Sequence, residues 1–285
     1  MEQVGFIVWR ESVEALLVVG ILYAWLRSDP AGRRGLPWLW GGVACGLALA
    51  GLLALVLLGM ASWLSDTGQE WFQAIMALVA CVLVVQMVAW MRAHGRGLKH
   101  DLEAGAGSMI RRDRWWGLLA LVMIAVAREG SETVVFLYGA ILSSQDEGRS
   151  ASMVLAGLVG FGAALLTFWV LQLGGRLITW RRFFKLTEAL LLLLAGALLV
   201  SATDRLISLE VLPALIDPVW NTSWLLGTEG GLGKVLADFA GYRAYPALSQ
   251  VLIWLAYWVV AIGTLRRASR PAVPAAGVSI GDSAA

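Results

Sequence analysis

Apolar residues gather into seven long runs, at residues 4–26, 38–62, 71–91, 115–142, 151–174, 184–203 and 247–265, separated by polar connections. A helix that crosses the hydrocarbon core needs about 20 mainly apolar residues. The pattern therefore predicts an all-α polytopic membrane protein with seven transmembrane helices. Composition points the same way. Hydrophobic residues fill 59% of the 285 positions and charged residues 15%, against roughly 25% charged in soluble domains, which excludes a soluble enzyme. The 32 glycines and 15 tryptophans suit close helix contacts and the bilayer interface respectively.

The net charge of +2 decides little, but the placement of the cations decides a good deal. The first connection holds Arg27, Arg33 and Arg34, the third Arg92, Arg96, Lys99, Arg111, Arg112 and Arg114, and the fifth Arg176, Arg181, Arg182 and Lys185. Arg266, Arg267 and Arg270 follow the last run. The second connection has Asp66 and Glu70 without a cation, the fourth has Arg149, and the long sixth mixes Arg205, Lys234 and Arg243 with five acids. Every basic connection falls on one side, so the positive-inside rule predicts an external N-terminus and a cytoplasmic C-terminus.

The first 25 residues carry Arg10, Glu11 and Glu14 within the apolar stretch and lack both a basic start and a small-residue cleavage site, so they read as a retained helix. Residues 204–246 are too apolar for a solvated linker and too broken for a span, and are expected to form an ordered outer-face cap or re-entrant segment. Residues 268–285, rich in Ala, Pro, Ser and Gly, read as a disordered cytoplasmic tail, leaving 1–267 as the seven-helix transmembrane body. Cys45 and Cys81 sit alone in apolar runs without C-x-x-C spacing, as packing residues do.

Two segments break the apolar pattern from within. Arg10-Glu11-Ser12-Val13-Glu14 lies in the first run and Arg128-Glu129-Gly130-Ser131-Glu132 in the fourth, both reading R-E-x-x-E. They are three runs apart, and their neighbours echo one another. Trp71-Phe72 and Met76-Ala77 parallel Phe183-Phe184 and Glu188-Ala189, while Gly42/Gly46 and Ala156/Gly160 share a four-residue spacing. Because the first and fourth helices run in opposite directions, the chain is expected to hold two inverted three-helix repeats plus a seventh helix, with a site near the bilayer midplane.

On a helix, residues three apart share a face and residues four apart lie one turn on, so each motif points two carboxylates the same way with an Arg in reach of its i+4 Glu. At 1.5 Å per residue, Glu14 lies roughly 15 Å below the outer edge of its span and Glu129 roughly 20 Å above the inner edge, so the motifs overlap in a core about 30 Å thick. Charges at mid-membrane cost about 2.5–3.5 kcal/mol each, roughly 15–20 kcal/mol for six if unpaired. If the motifs were merely Arg–Glu ion pairs, one carboxylate in each would remain unpaired. Apolar replacements would also often serve as well. Intramembrane ionisable groups are functional by default. Four carboxylates without His or Cys form a hard oxygen set suited to hard cations. The motifs sum to −2, and Glu188 would make −3, matching a trivalent ion.

These features resemble the oxidase-dependent iron transporter family. The likeness rests on the doubled R-E-x-x-E with this topology, the stretch Arg128-Glu129-Gly130-Ser131-Glu132-Thr133, Trp90-Met91 ending the third run, and Gly241-Tyr242 with Pro246 before the seventh, and covers about 1–267. It implies that Glu11, Glu14, Glu129 and Glu132 bind iron in transit and that Arg10 and Arg128 support them. It also implies that an extracytoplasmic oxidase or iron-binding protein supplies Fe(III) from oxidised Fe(II), and that acids in the outer cap take part, for which Asp217 and Glu229 are the candidates. It places the protein in a plasma membrane, the inner membrane of a bacterium, with the lipid bilayer and the iron ion as partners. The chain departs from the family pattern at Gln73, where an acid is common, and at Trp220-Asn221, where Trp-Asp is common; both departures concern the entrance route.

Glu188 is a candidate exit ligand or an interfacial residue. Gln86 and Gln172 suit interhelical hydrogen bonds, His94 and His100 a solvated loop, and Met76, Met87, Met91 and Met123 packing. Asn221-Thr222-Ser223 fits a glycosylation sequon. No nucleotide-binding loop, resident cofactor site or nucleic-acid-binding pattern is visible, so iron enters as substrate alone. Other readings are a carrier of another divalent metal such as manganese or lead, a proton-coupled organic-cation carrier, which calls for an aromatic cage, and an intramembrane enzyme, for which no nucleophile lies near either motif.

Overall fold

A backbone in hydrocarbon has no water to bond, so long apolar segments satisfy their own N–H and C=O groups as helices. The computed structural model describes residues 2–28, 32–94, 104–105, 107, 115–143, 150–172, 180–224, 226–227 and 231–268. Among these there are helices and no strands. In chain order they are α1 (Glu2–Ser28), a 3-10 turn (Gly32–Gly35), α2 (Leu36–Trp63), α3 (Asp66–His94), α4 (Trp115–Ser143), α5 (Ser150–Gln172), α6 (Trp180–Ser208), a short α7 (Gly231–Ala240) and α8 (Leu248–Ala268). The long helices run past several of the apolar runs, most visibly at Asp66 in α3 and at Ser208 in α6, because polar residues at a membrane surface continue a helix at no cost in burial.

Among the described residues five segments are long and apolar enough to cross a membrane: Gly32–Trp63, Asp66–Ala93, Ser152–Gln172, Lys185–Ser208 and Leu248–Ala268. The protein is a multi-pass membrane protein. The helices α1 and α4 are as long, but each carries an Arg and two Glu near its middle. They are also shielded by the others. Leucines and valines of α2 and α5 such as Leu55, Leu58, Leu158 and Val159 face outward, whereas Ile7, Val13, Leu118, Val122 and Phe136 of α1 and α4 are fully or almost fully buried.

The helices pack in exchanged pairs: α2 chiefly against α4, α1 against α5, and α3 against α6. Small residues permit the close approaches. A Cβ on Gly46 would lie 2.8 Å from Val126 Cβ and 3.0 Å from the Ala127 nitrogen, and one on Gly130 would lie 2.6 Å from Ala50 Cβ. On the other pair a side chain at Gly160 would collide with the Gly5 carbonyl, and Ala164 is buried with Val13. Ala50 thus backs one R-E-x-x-E motif and Ala164 the other. The helices α1 and α4 cross antiparallel, with Leu22 and Leu26 beside Leu118 and Val122 at one end and Ile7 in the same core as Phe136 at the other.

The expected cap at 204–246 divides differently in the structure. Its first residues, 204–208, continue α6, and Gly231–Ala240 form α7, which ends at Gly241 with φ +71 and a bond from the Gly241 N–H to Ala237 O, 3.1 Å. The irregular stretch between is tied down by the N–H groups of Val219, Thr222 and Leu248 donating to Pro246, Ala244 and Ile216, 2.9–3.0 Å. The segment covers the Glu2 end of α1, where Gln3 bonds the Asp238 carbonyl and Phe6 meets Phe239 edge-on at 5.7 Å. Glu229, Arg96, Lys99, His100, Arg111, Arg112, Arg114, Arg149, Arg176, Arg270 and the tail lie outside the described residues.

Candidate metal site

Crossing of α1 and α4 sets the two motifs against each other at mid-helix. One carboxylate oxygen from each of Glu11, Glu14 and Glu129 lies within 4.8 Å of the others, the distance scale on which a single cation bridges them. Glu132, on the same face of α4 one turn on, is held by Arg128, whose Nε donates to Glu132 Oε1 at 3.0 Å. Glu11, Glu14 and Glu129 are thus joined in one cluster drawn from both motifs, as helix periodicity requires.

The first motif is closed. Arg10 is 2% exposed and Glu11 1%. Arg10 Nη1 donates to Glu11 Oε1 at 2.7 Å, and Nη2 lies 2.5 Å from Glu14 Oε1. The expectation that an ion-pair arrangement leaves one carboxylate of each motif without its cation is overturned here, because the guanidinium fork reaches both acids at once. Arg10 also donates to the sulfurs of Met87 at 2.8 Å and Met91 at 3.3 Å on α3. Both methionines, expected as packing residues, are therefore partners of a buried cation.

The second motif is more open. The Arg128 side chain is 38% exposed, pairs with Glu132 alone, and stacks over Trp90 with its Cζ 4.6 Å from the ring centroid. Among the described residues no cation pairs with Glu129. Across the cluster Glu11 Oε2, Glu14 Oε1, Glu129 Oε2 and Glu132 Oε2 are buried with no hydrogen-bond partner, as is Arg10 Nε; the approach of Arg10 to Glu14 is an ion pair without hydrogen-bond geometry. Buried carboxylate oxygens are rarely left bare, and several bare ones around one point make a receptor for a cation.

Glu188 is not brought to this cluster. It pairs with Arg92, the residue after Met91 on α3, and this cation offsets the third negative charge that the match to a trivalent ion invoked. Asp217 is exposed in the cap. Sequence reasoning passed over Asp204, which takes two bonds from Arg243, Nη2 at 2.7 Å and Nε at 3.0 Å, and a third from Gln250. Arg243 also reaches Ser201 Oγ at 3.4 Å. This network joins α6, the cap and α8. Its only signal in the sequence was an acid in the last turn of a long apolar helix, and nothing there named its partner nearly forty residues on. Burial raises the Asp238 carboxyl above its ordinary range in the same region.

The pattern of the iron permease FTR1 family matches residues 1–267. The protein called ferrous iron permease EfeU in Escherichia coli O157:H7 is 30% identical over 266 residues, spanning 90% of this chain and 92% of that protein. The one of the same name in Yersinia pestis is 29% identical over 265 residues, spanning 90% of each. No solved structure matches the chain.

Proposed function

This chain belongs to the iron permease FTR1 family, and on that premise we propose that it carries iron into the cytoplasm across the inner membrane of a bacterium, binding it in transit at the crossing of α1 and α4. Glu11, Glu14 and Glu129 are the central ligands, Glu132 completes the set, and Arg10 and Arg128 hold the empty site near neutrality. The single observation that carries the reading is the meeting of three carboxylate oxygens from two motifs within 4.8 Å.

Residues 1–267 act as one permease body with seven spans, external N-terminus and cytoplasmic C-terminus. The charged helices α1 and α4 are the two spans that length and apolarity alone do not select. Antiparallel crossing of the motifs and the exchanged pairing α1–α5 and α2–α4 fit two inverted repeats. Rocking of one repeat against the other around a fixed site is the transport step that such a layout supports.

Iron is substrate and no resident cofactor is needed. An all-oxygen site favours the harder ion, Fe(III). The family relatives are named for ferrous iron, and both statements hold together if an oxidase outside the membrane converts Fe(II) before it reaches the cap. Asp217, and Glu229 twelve residues on in the sequence, are the cap acids that would receive it.

The test is radio-iron uptake into proteoliposomes offered Fe(III)-citrate or ascorbate-held Fe(II). Uptake of Fe(III) alone, lost in Glu129→Gln with the protein still folded, is the expected result. Uptake of Fe(II) alone overturns the valence, and undiminished uptake in Glu129→Gln overturns the site.

A further inference from the structure

We propose that Trp90 is a positioning residue: its indole face holds the Arg128 guanidinium away from Glu129 and so keeps Glu129 open to the metal. The inference rests on the iron-binding reading of the cluster and names a residue on a third helix that sets its electrostatics.

Identical motifs behave differently on α1 and α4. Arg10 bonds its immediate successor Glu11 at 2.7 Å and reaches Glu14 at 2.5 Å. Among the described residues Arg128 bonds the distal acid, Glu132, at 3.0 Å, and makes no ion pair with its immediate successor Glu129. Sequence within the motifs does not account for this, since Arg and Glu occupy the same offsets in both.

What differs is the group α3 offers to each arginine. Met87, Trp90 and Met91 stand at i, i+3 and i+4, one face over little more than one turn. Toward Arg10 that face presents two sulfurs, which are weak acceptors and do not compete with a carboxylate. Toward Arg128 it presents an aromatic ring 4.6 Å from Cζ, and indole is the best of the aromatic faces for a guanidinium. Arg10, 3% exposed along its side chain, has no room to move; Arg128, at 38%, does. An arginine with that freedom beside a bare carboxylate needs a restraint, and the ring supplies it. Without the ring, Arg128 folds onto Glu129 as Arg10 folds onto Glu11, and the second motif neutralises itself.

The test is equilibrium radio-iron binding to the purified full-length protein in detergent, with wild type, Glu129→Gln, Trp90→Phe, Trp90→Leu, Arg128→Gln and the Arg128→Gln/Trp90→Leu pair. Wild type binds and Glu129→Gln does not. Trp90→Phe, which keeps a ring face, stays within about twofold of wild type, and Trp90→Leu binds about tenfold more weakly at unchanged stoichiometry. On the Arg128→Gln background the Leu change adds nothing, because the residue it acts through is gone. Should Trp90→Leu not fold, Trp90→Met takes its place with the same expectations. Wild-type affinity in the ring-less variant, equal weakening in the Phe and Leu variants, or a Leu penalty that survives without Arg128 overturns the proposal. Wild-type protein that binds no iron overturns the functional reading itself, a result distinct from one in which iron binds, Glu129 is required and Trp90 is indifferent.

Discussion

The two R-E-x-x-E motifs share a spelling and an orientation on their helices, yet one is a sealed ion cluster and the other an open one. On α1 a single buried guanidinium spans Glu11 and Glu14, backed by Val13 and Ala164 and faced by two methionine sulfurs. On α4 the guanidinium is drawn out over Trp90, and Glu129 is left facing the opposite motif. The motif thus fixes which side chains share a helix face, while neighbouring helices fix which of them are neutralised. A site assembled from two unequal halves has a held half and a free half, and the free half is where an arriving cation meets the least competition.

That contrast is sharpest at Glu129. Replacing it by Gln removes the carboxylate that has no cation of its own, and iron uptake in proteoliposomes should fall to background while the protein elutes as a folded species. The next largest effect belongs to the sealed half. Arg10→Leu strands two buried carboxylates and should cost about 3–5 kcal/mol of stability, seen as a large fall in thermal midpoint or loss of folded protein. Equal costs for Arg10→Leu and Arg128→Leu would erase the distinction between the halves, since a half-exposed cation should cost about 1 kcal/mol or less.

Smaller effects sharpen the frame behind the motifs. Gly46→Leu forces a side chain against Val126 and Ala127, and overpacking of this kind costs about 1–3 kcal/mol. Gly51→Leu, one residue past Ala50 and facing open space, should leave the thermal midpoint unchanged. The smallest effect is expected at Glu188, which Arg92 already neutralises and which is not among the three carboxylates that meet; Glu188→Gln should leave iron uptake within about twofold of wild type, as for a partly exposed pair.

Much of this was legible in the sequence, for physical reasons. Apolar run length announces helices in a chain that must satisfy its own backbone, and a charge triplet in mid-run announces a site because hydrocarbon penalises it. Three-residue spacing placed Glu11 beside Glu14, and opposite helix directions placed Glu129 near both. The pairing of Gly46 with α4 and Gly160 with α1 was foreshadowed by their matched spacing, although not which helix each would meet. What the sequence withheld depends on rotation and tertiary approach. Nothing in Trp90-Met91 says that one side chain takes Arg128 and the other Arg10. Glu188 looked free because its partner Arg92 lies on another helix. Asp204 looked like a helix-end acid until Arg243 and Gln250 were brought to it by the cap.

In the proposed site, carboxylates of both motifs hold the iron together. X-ray absorption at the iron edge of loaded protein tests it most directly, because the scattering shell reports ligand atoms rather than transport. The prediction is a shell of oxygen alone, altered in Glu129→Gln and in Glu11→Gln alike. A sulfur scatterer, which would put Met87 or Met91 on the metal, or a shell indifferent to either substitution would contradict it.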